Sequence, residues 1–275
     1  MLTKADALSV AVTGEGEGVV PLDETNLAAR AVLLLAAHTG NDPAIRIELT
    51  KGIPVAGGCA GGSADAAAAL LGCDALWETA LSKAELVELA AQLGSDVPFS
   101  LHGGTALGTG RGECLTPVLG TGDYAWVLAL ADGGLSTPAV YGELDRQRAL
   151  CSAAVGDSDP VARRGDPSPG PAGDPARVLA ALRSGDPVEL GRALHNDLQP
   201  AALALRPHLQ KLLQAGNDLG ALGAMVSGSG PTVALLARDT GHATALAAAI
   251  DGRFGCRAVR TATGPVAGAH VIEVA

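Results

Sequence analysis

Near the start of the chain, Leu8 and Val10 alternate with Ser9 and Ala11, a period of two that predicts a strand close to the first residue. Asn26 to His38 reads as a helix, with Asp23 or Thr25 near its start and Gly40 at its end. Ile45, Ile47 and Leu49 then alternate with Arg46 and Glu48, the pattern of a half-buried strand. From Ser63 to about Trp77 the chain is dense in alanine and leucine, the strongest helix formers. Ser82 and Glu85 have capping-box spacing. Behind them Leu86, Leu89, Ala90 and Leu93 share one face, and Gly94 supplies a stop.

Past Asp123 the alternation of helix and strand continues. Trp126 to Ala131 is a wholly apolar strand candidate, and helical patterns run over Pro187 to Asn196 and Ala201 to Ala215. A strand from Thr232 to Ala237 follows a glycine-serine turn, His242 to Ile250 is helical, and Arg257 to Thr261 and His270 to Val274 are late strands. Between Cys151 and Pro175 the composition shifts to Gly, Pro, Asp, Ser and Ala, which reads as a flexible surface excursion. The whole is an α+β chain, with a division expected between residues 1–122 and 123–275.

Composition narrows the function. The chain has 275 residues and 48% apolar content, enough for one large domain or two modest ones. No apolar run approaches the roughly 18 residues of a membrane span. Met1 to Val20 carries an acidic, glycine-rich stretch where a signal peptide would need an apolar centre, so a cytoplasmic protein is expected, with no membrane partner. A formal charge of -10 and only 2% aromatic residues argue against nucleic acid as a partner. The five cysteines, Cys59, Cys73, Cys114, Cys151 and Cys256, include no C-x-x-C pair and are expected to be reduced, mostly buried thiols. The six histidines lack zinc spacing, and no protein metal site is expected.

The segment with the most chemistry is Pro54-Val55-Ala56-Gly57-Gly58-Cys59-Ala60-Gly61-Gly62-Ser63-Ala64. Four glycines in six positions let the backbone come close to a ligand and turn its N–H groups toward an anion. The helix beginning near Ser63 adds the positive end of its dipole, so a triphosphate could be held without a lysine. The spacing excludes two familiar alternatives. Gly62 is followed by Ser63, with no P-loop lysine, and Cys59 stands where a dinucleotide fingerprint needs its middle glycine. A plain glycine-rich turn between strand and helix remains the bland alternative.

This stretch resembles the second motif of the GHMP kinases, the galactose, homoserine, mevalonate and phosphomevalonate family. Three further segments agree, in order. Leu93-Gly94-Ser95-Asp96-Val97-Pro98-Phe99, continuing through His102 to Glu113, resembles the active-site region. Gly133-Gly134-Leu135-Ser136-Thr137 resembles the start of the second domain. Val226-Ser227-Gly228-Ser229-Gly230-Pro231-Thr232 resembles the third motif, a loop closing over the phosphates.

The resemblance implies a two-domain fold: an N-terminal domain like ribosomal protein S5 domain 2 and a ferredoxin-like C-terminal domain. It implies ATP and Mg2+ as cofactors, with residues 54–64 and the Gly228, Ser229, Gly230 loop on the phosphates and Asp96 as catalytic base. Tyr141 corresponds to an aromatic that stacks on substrate, and His102 reads as a structural loop histidine. Asn196 and Asp197 open a segment similar to one in the family, without an assigned role.

The implied reaction moves the γ-phosphate of ATP to the 2-hydroxyl of 4-diphosphocytidyl-2-C-methyl-D-erythritol, a step of non-mevalonate isoprenoid synthesis, by a monomer or homodimer. An aspartate of pKa about 3.9 cannot deprotonate an alcohol in the ground state. In a loose transition state it need only orient the hydroxyl and accept its proton late.

One family feature is missing. The first motif should set a lysine in a Pro-x-Lys-x-Asn-Leu-like strand, with a Gly-Tyr-His segment downstream. Met1-Leu2-Thr3-Lys4 does not match, and Lys4 does not take that role. The expectation is a sheet with its N-terminal strands missing. A different alcohol acceptor, an ATP-binding relative that does not catalyse, and a purely structural module therefore remain open.

Overall fold

The computed structural model describes residues 1–55, 57–154 and 173–272, which fall into two units. Unit 1 holds residues 1–55, 60–118 and 265–272. Its elements are β1 (Leu2–Lys4), β2 (Ser9–Gly14), α1 (Leu27–Thr39), β3 (Ile45–Lys51), α2 (Gly61–Trp77), α3 (Lys83–Leu93), α4 (Val97–His102), β4 (Ala106–Thr109) and β5 (Cys114–Pro117).

β3 is the centre of a three-stranded sheet, antiparallel to β1 and parallel to β2, with Ile47 opposite both Leu2 and Val10. α1 makes the crossover from β2 to β3 that a parallel pair requires. Asn26 starts α1: its Oδ1 accepts from the Ala28 N–H at 2.9 Å and its Nδ2 donates to the Pro21 carbonyl at 2.8 Å. Gly40 ends the helix in the left-handed conformation at φ 75°. The Ser82–Glu85 capping box and the Leu86, Leu89, Ala90, Leu93 face stand in α3 as the spacing predicts. Ala66, Ala67 and Ala69 are buried, and their small side chains let α2 lie close on α1. Val32, Leu35, Ile45, Leu70 and Val97 fill the space between helices and sheet.

Unit 2 holds residues 57–59, 119–154 and 173–264. It contains β6 (Tyr124–Ala131), α5 (Thr137–Ala154), α6 (Pro175–Ser184), α7 (Pro187–Ala193), α8 (Gln199–Leu205), α9 (Leu209–Asp218), β7 (Gly223–Val226), β8 (Thr232–Ala237), α10 (Thr240–Ile250) and β9 (Cys256–Gly264). The sheet order is β7-β8-β6-β9, antiparallel throughout. With helices between β6 and β7 and between β8 and β9, this is the ferredoxin-like split arrangement expected for the second half. Every residue of β8 is buried, which explains its unbroken apolar run.

Some expectations need correcting. The single helix over Ala201 to Ala215 is two, α8 and α9. Arg206 sits between them at φ -138° and ψ 74°, driven out of the helical region by the ring of Pro207. The helix from Pro187 stops at Ala193, short of Asn196. α2 starts at Gly61, two residues before Ser63. The late strand from His270 is not formed over residues 270–272, and 273–274 lie outside the described residues. The segment before it ties to α4 instead, through the Ala269 N–H to the Ser100 carbonyl at 2.9 Å and the Gly104 N–H to the Val266 carbonyl at 2.7 Å. Most of the excursion from Cys151 to Pro175 also lies outside the described residues. The cysteines are all free, but only Cys73 and Cys256 are buried; Cys59 is half-buried, and Cys114 and Cys151 are exposed.

Candidate active site

The glycine loop links β3 to α2. Ala56 lies outside the described residues; the rest of residues 54–64 are in place. Ala60 takes the N-cap position of α2 in the left-handed conformation, φ 53° and ψ 28°, where a non-glycine residue costs about 1–2 kcal/mol. Its methyl group cannot cap the helix, and the first helical hydrogen bond is donated by Ala64, to the Ala60 carbonyl. The helix therefore makes no use of the N–H groups of Gly61, Gly62 and Ser63, at the positive end of a 17-residue helix. A side chain at Gly62 would meet nothing within 4 Å, so packing alone does not demand glycine there.

Within unit 2, residues 57–59 meet the third-motif loop. Ser227 Oγ donates to the Gly58 carbonyl at 3.1 Å. A Cβ on Gly58 would lie 2.7 Å from the Ser227 carbonyl oxygen and 2.8 Å from that of Gly230, so no side chain fits. The Gly230 N–H closes the 227–230 turn onto the Ser227 carbonyl at 2.8 Å. Ser229 is buried and its Oγ lies 2.8 Å from Thr137 Oγ1, at the start of α5. Asn196 Nδ2 donates to the carbonyls of Val226 and Gly228 at 2.7 and 2.8 Å, and Gln199 Oε1 accepts from the Val226 N–H at 2.8 Å. Ser227 thus joins the two glycine loops, and Thr137, Asn196 and Gln199 brace the third-motif loop.

In unit 1, Asp96 precedes α4, which packs against α2. Its backbone is helical, φ -90° and ψ -10°, and its exposed carboxylate makes no capping hydrogen bond. The turn between β4 and β5 comes close: a Cβ on Gly112 would lie 4.0 Å from the Ser95 Cβ. In that turn the Glu113 carboxylate is held below the usual range by its own backbone N–H and that of Arg111, so it is already engaged. His102 Nδ1 lies 2.7 Å from the Gly103 carbonyl, the structural contact expected of it. Lys4 is exposed at the end of β1, paired with Ile45.

Tyr141 is 52% exposed on α5, one turn after Thr137 and so on the helix face that meets the third-motif loop. Asn196, Gln199 and Thr137 carry no signal in sequence, because their partners, backbone groups for the first two and the Ser229 hydroxyl for Thr137, lie 27 to 92 positions away. Lys51, buried beside the glycine loop and paired with Asp65, was also missed. Its signal is a lysine at an inward strand position.

Two family models cover this architecture: the GHMP kinases N terminal domain matches residues 26–104 and the GHMP kinases C terminal domain residues 178–255. The chain belongs to the GHMP kinase family. It is 53% identical over 272 residues to the 4-diphosphocytidyl-2-C-methyl-D-erythritol kinase of Nocardia farcinica, covering 99% of this chain and 83% of that protein. It is 54% identical over 269 residues to the enzyme of the same name from Salinispora tropica, covering 98% and 81%. A crystal structure of 4-(cytidine 5'-diphospho)-2C-methyl-D-erythritol kinase superposes with a TM-score of 0.70 at 30% identity, over 96% of this chain and 84% of that one. Homoserine kinase from Cytophaga hutchinsonii shares the fold, with a TM-score of 0.70 at 21% identity, over 96% of this chain and 83% of that one.

Proposed function

We propose that the chain transfers the γ-phosphate of ATP to the 2-hydroxyl of 4-diphosphocytidyl-2-C-methyl-D-erythritol, in the non-mevalonate route to isoprenoid precursors. The observation that carries this reading is the joining of the two glycine loops through Ser227 and Gly58. The backbone N–H groups of these two loops suit a chain of phosphates. The relatives of more than 50% identity supply the acceptor.

Asp96 is the residue for the acceptor hydroxyl. Its carboxylate spends no lone pair on capping α4, so it can take a hydrogen bond from an alcohol, hold it in line with the γ-phosphate and accept its proton late. Residues 54–64 and Gly228, Ser229 and Gly230 hold the phosphates, and Tyr141 offers an aromatic face to the cytosine. Among the described residues no group of His, Cys, Asp and Glu could hold a metal ion by itself. Magnesium arriving with the nucleotide takes its ligands chiefly from phosphate and water and neutralises phosphate charge, so it asks for no such group. Among the described residues no helix is long and apolar enough to cross a membrane, and the reading is of a cytoplasmic enzyme, monomer or homodimer, split near residue 122.

Asp96→Asn tests it. Turnover should fall by about 10²–10⁴-fold, with ATP affinity measured by calorimetry unchanged. Unchanged turnover would remove Asp96 from the reaction. Phosphorylation of another alcohol in preference to the cytidine diphosphate substrate would replace the acceptor.

A further inference from the structure

Among the described residues Lys51 is the one buried charged side chain, 5% exposed. It closes β3, where its carbonyl accepts from the Glu15 N–H at 3.0 Å. Its Nζ donates to the carboxylate of Asp65, in the second turn of α2. The partners stand 14 positions apart, and the glycine loop is the chain between them. Both anchors are firm: β3 is the central strand, and α2 is buried through Ala66, Ala67 and Leu70. The span includes Gly52, Gly57, Gly58, Gly61 and Gly62, residues that admit many backbone conformations. An ion pair across its neck fixes the separation of its two ends and so reduces the shapes it can take. Because the pair is neutral overall, it adds little net charge for a phosphate, and its effect on the loop is geometric.

We infer that the Lys51–Asp65 ion pair is a positioning device that sets the glycine loop for the phosphates of a nucleoside triphosphate. This rests on the reading of that loop as the ATP site. Lys51 and Asp65 are positioning residues, acting through the loop backbone.

The test separates geometry from stability. Lys51→Met or Asp65→Asn alone breaks the pair, and each is expected to lower both the melting temperature and ATP affinity. The double variant Lys51→Met/Asp65→Leu replaces the pair by apolar side chains, a change that buried ion pairs often tolerate without loss of stability. Leucine suits position 65 because the adjoining groove is lined by Leu49, Leu71 and Leu76.

The double variant should regain the wild-type melting temperature. Its ATP affinity should stay about tenfold or more weaker, with KM for ATP raised and KM for the alcohol acceptor unchanged. Recovery of ATP affinity together with melting temperature would overturn the inference and make the pair structural only. A double variant that stays as unstable as the single ones would overturn it too, by making the pair part of the core framework. A wild-type chain that binds no ATP in the same titration would overturn the site reading itself, an outcome distinct from the other two.

Discussion

Asp96 differs from five other polar residues that begin helices in this chain. Asn26, Ser82, Asp174, Asp186 and Asp239 all turn a side-chain oxygen back onto a helix N–H. They have the extended backbone that this reach needs, whereas Asp96 is already helical and its carboxylate points elsewhere. Sequence supplies the residue type and the nearby Gly94, which suit a cap equally well; the backbone angle that frees the carboxylate is a tertiary outcome. A second residue-scale feature is Thr232, fully buried in β8 with no hydrogen-bond partner for its Oγ1. An unsatisfied buried hydroxyl costs about 1–3 kcal/mol, so Thr232→Val should raise unfolding stability by about 1 kcal/mol. Loss of stability in urea titration would mean the hydroxyl has a partner, a bound water among them.

Elements with strong local signals were legible. α3 carries its cap and stop in the sequence and α1 its stop, though the cap of α1 is Asn26 and not Asp23 or Thr25, and β3 and β8 announce themselves by alternation and by an unbroken apolar run. α5 was not legible, because Leu144 is the one apolar residue between Glu143 and Arg148 and the inward pattern is sparse. Short-range ion pairing supports it instead. Arg146 and then Gln147 hold the Glu143 carboxyl down to about 2. A carboxyl whose pKa is lower in the folded than in the unfolded chain stabilises the fold above its unfolded value, about 4.3, and loses that contribution as pH falls through the folded value. Glu143→Gln should therefore be less stable than wild type at neutral pH, by a difference constant down to about pH 5. The two should converge as pH falls toward 2. Denaturation midpoints measured across that range check it; a difference that persists unchanged at pH 2 would assign the effect to something other than ionisation.

At the scale of the molecule, the chain does not pass through its two units in sequence order. Residues 57–59 cluster with the second unit and 265–272 with the first, contacts that no local pattern encodes. The return of the tail depends on Gly103, whose φ of 66° and bridge to Ala267 leave no space for a side chain. A Cβ there would fall 1.9 Å from the Gly268 backbone nitrogen. Gly103→Ala should lower stability by about 2–3 kcal/mol, read as a drop in melting temperature, and an unchanged value would mean the tail is not seated there.

The bond from Ser227 to Gly58 has a consequence in time. It joins residues 169 positions apart, so a ribosome adding about 5–20 residues per second makes its second half roughly 10 to 30 seconds after its first. During that interval the nascent chain carries a glycine loop without its facing turn, and on the proposed reading of that loop nucleotide capture becomes one of the last properties acquired during synthesis.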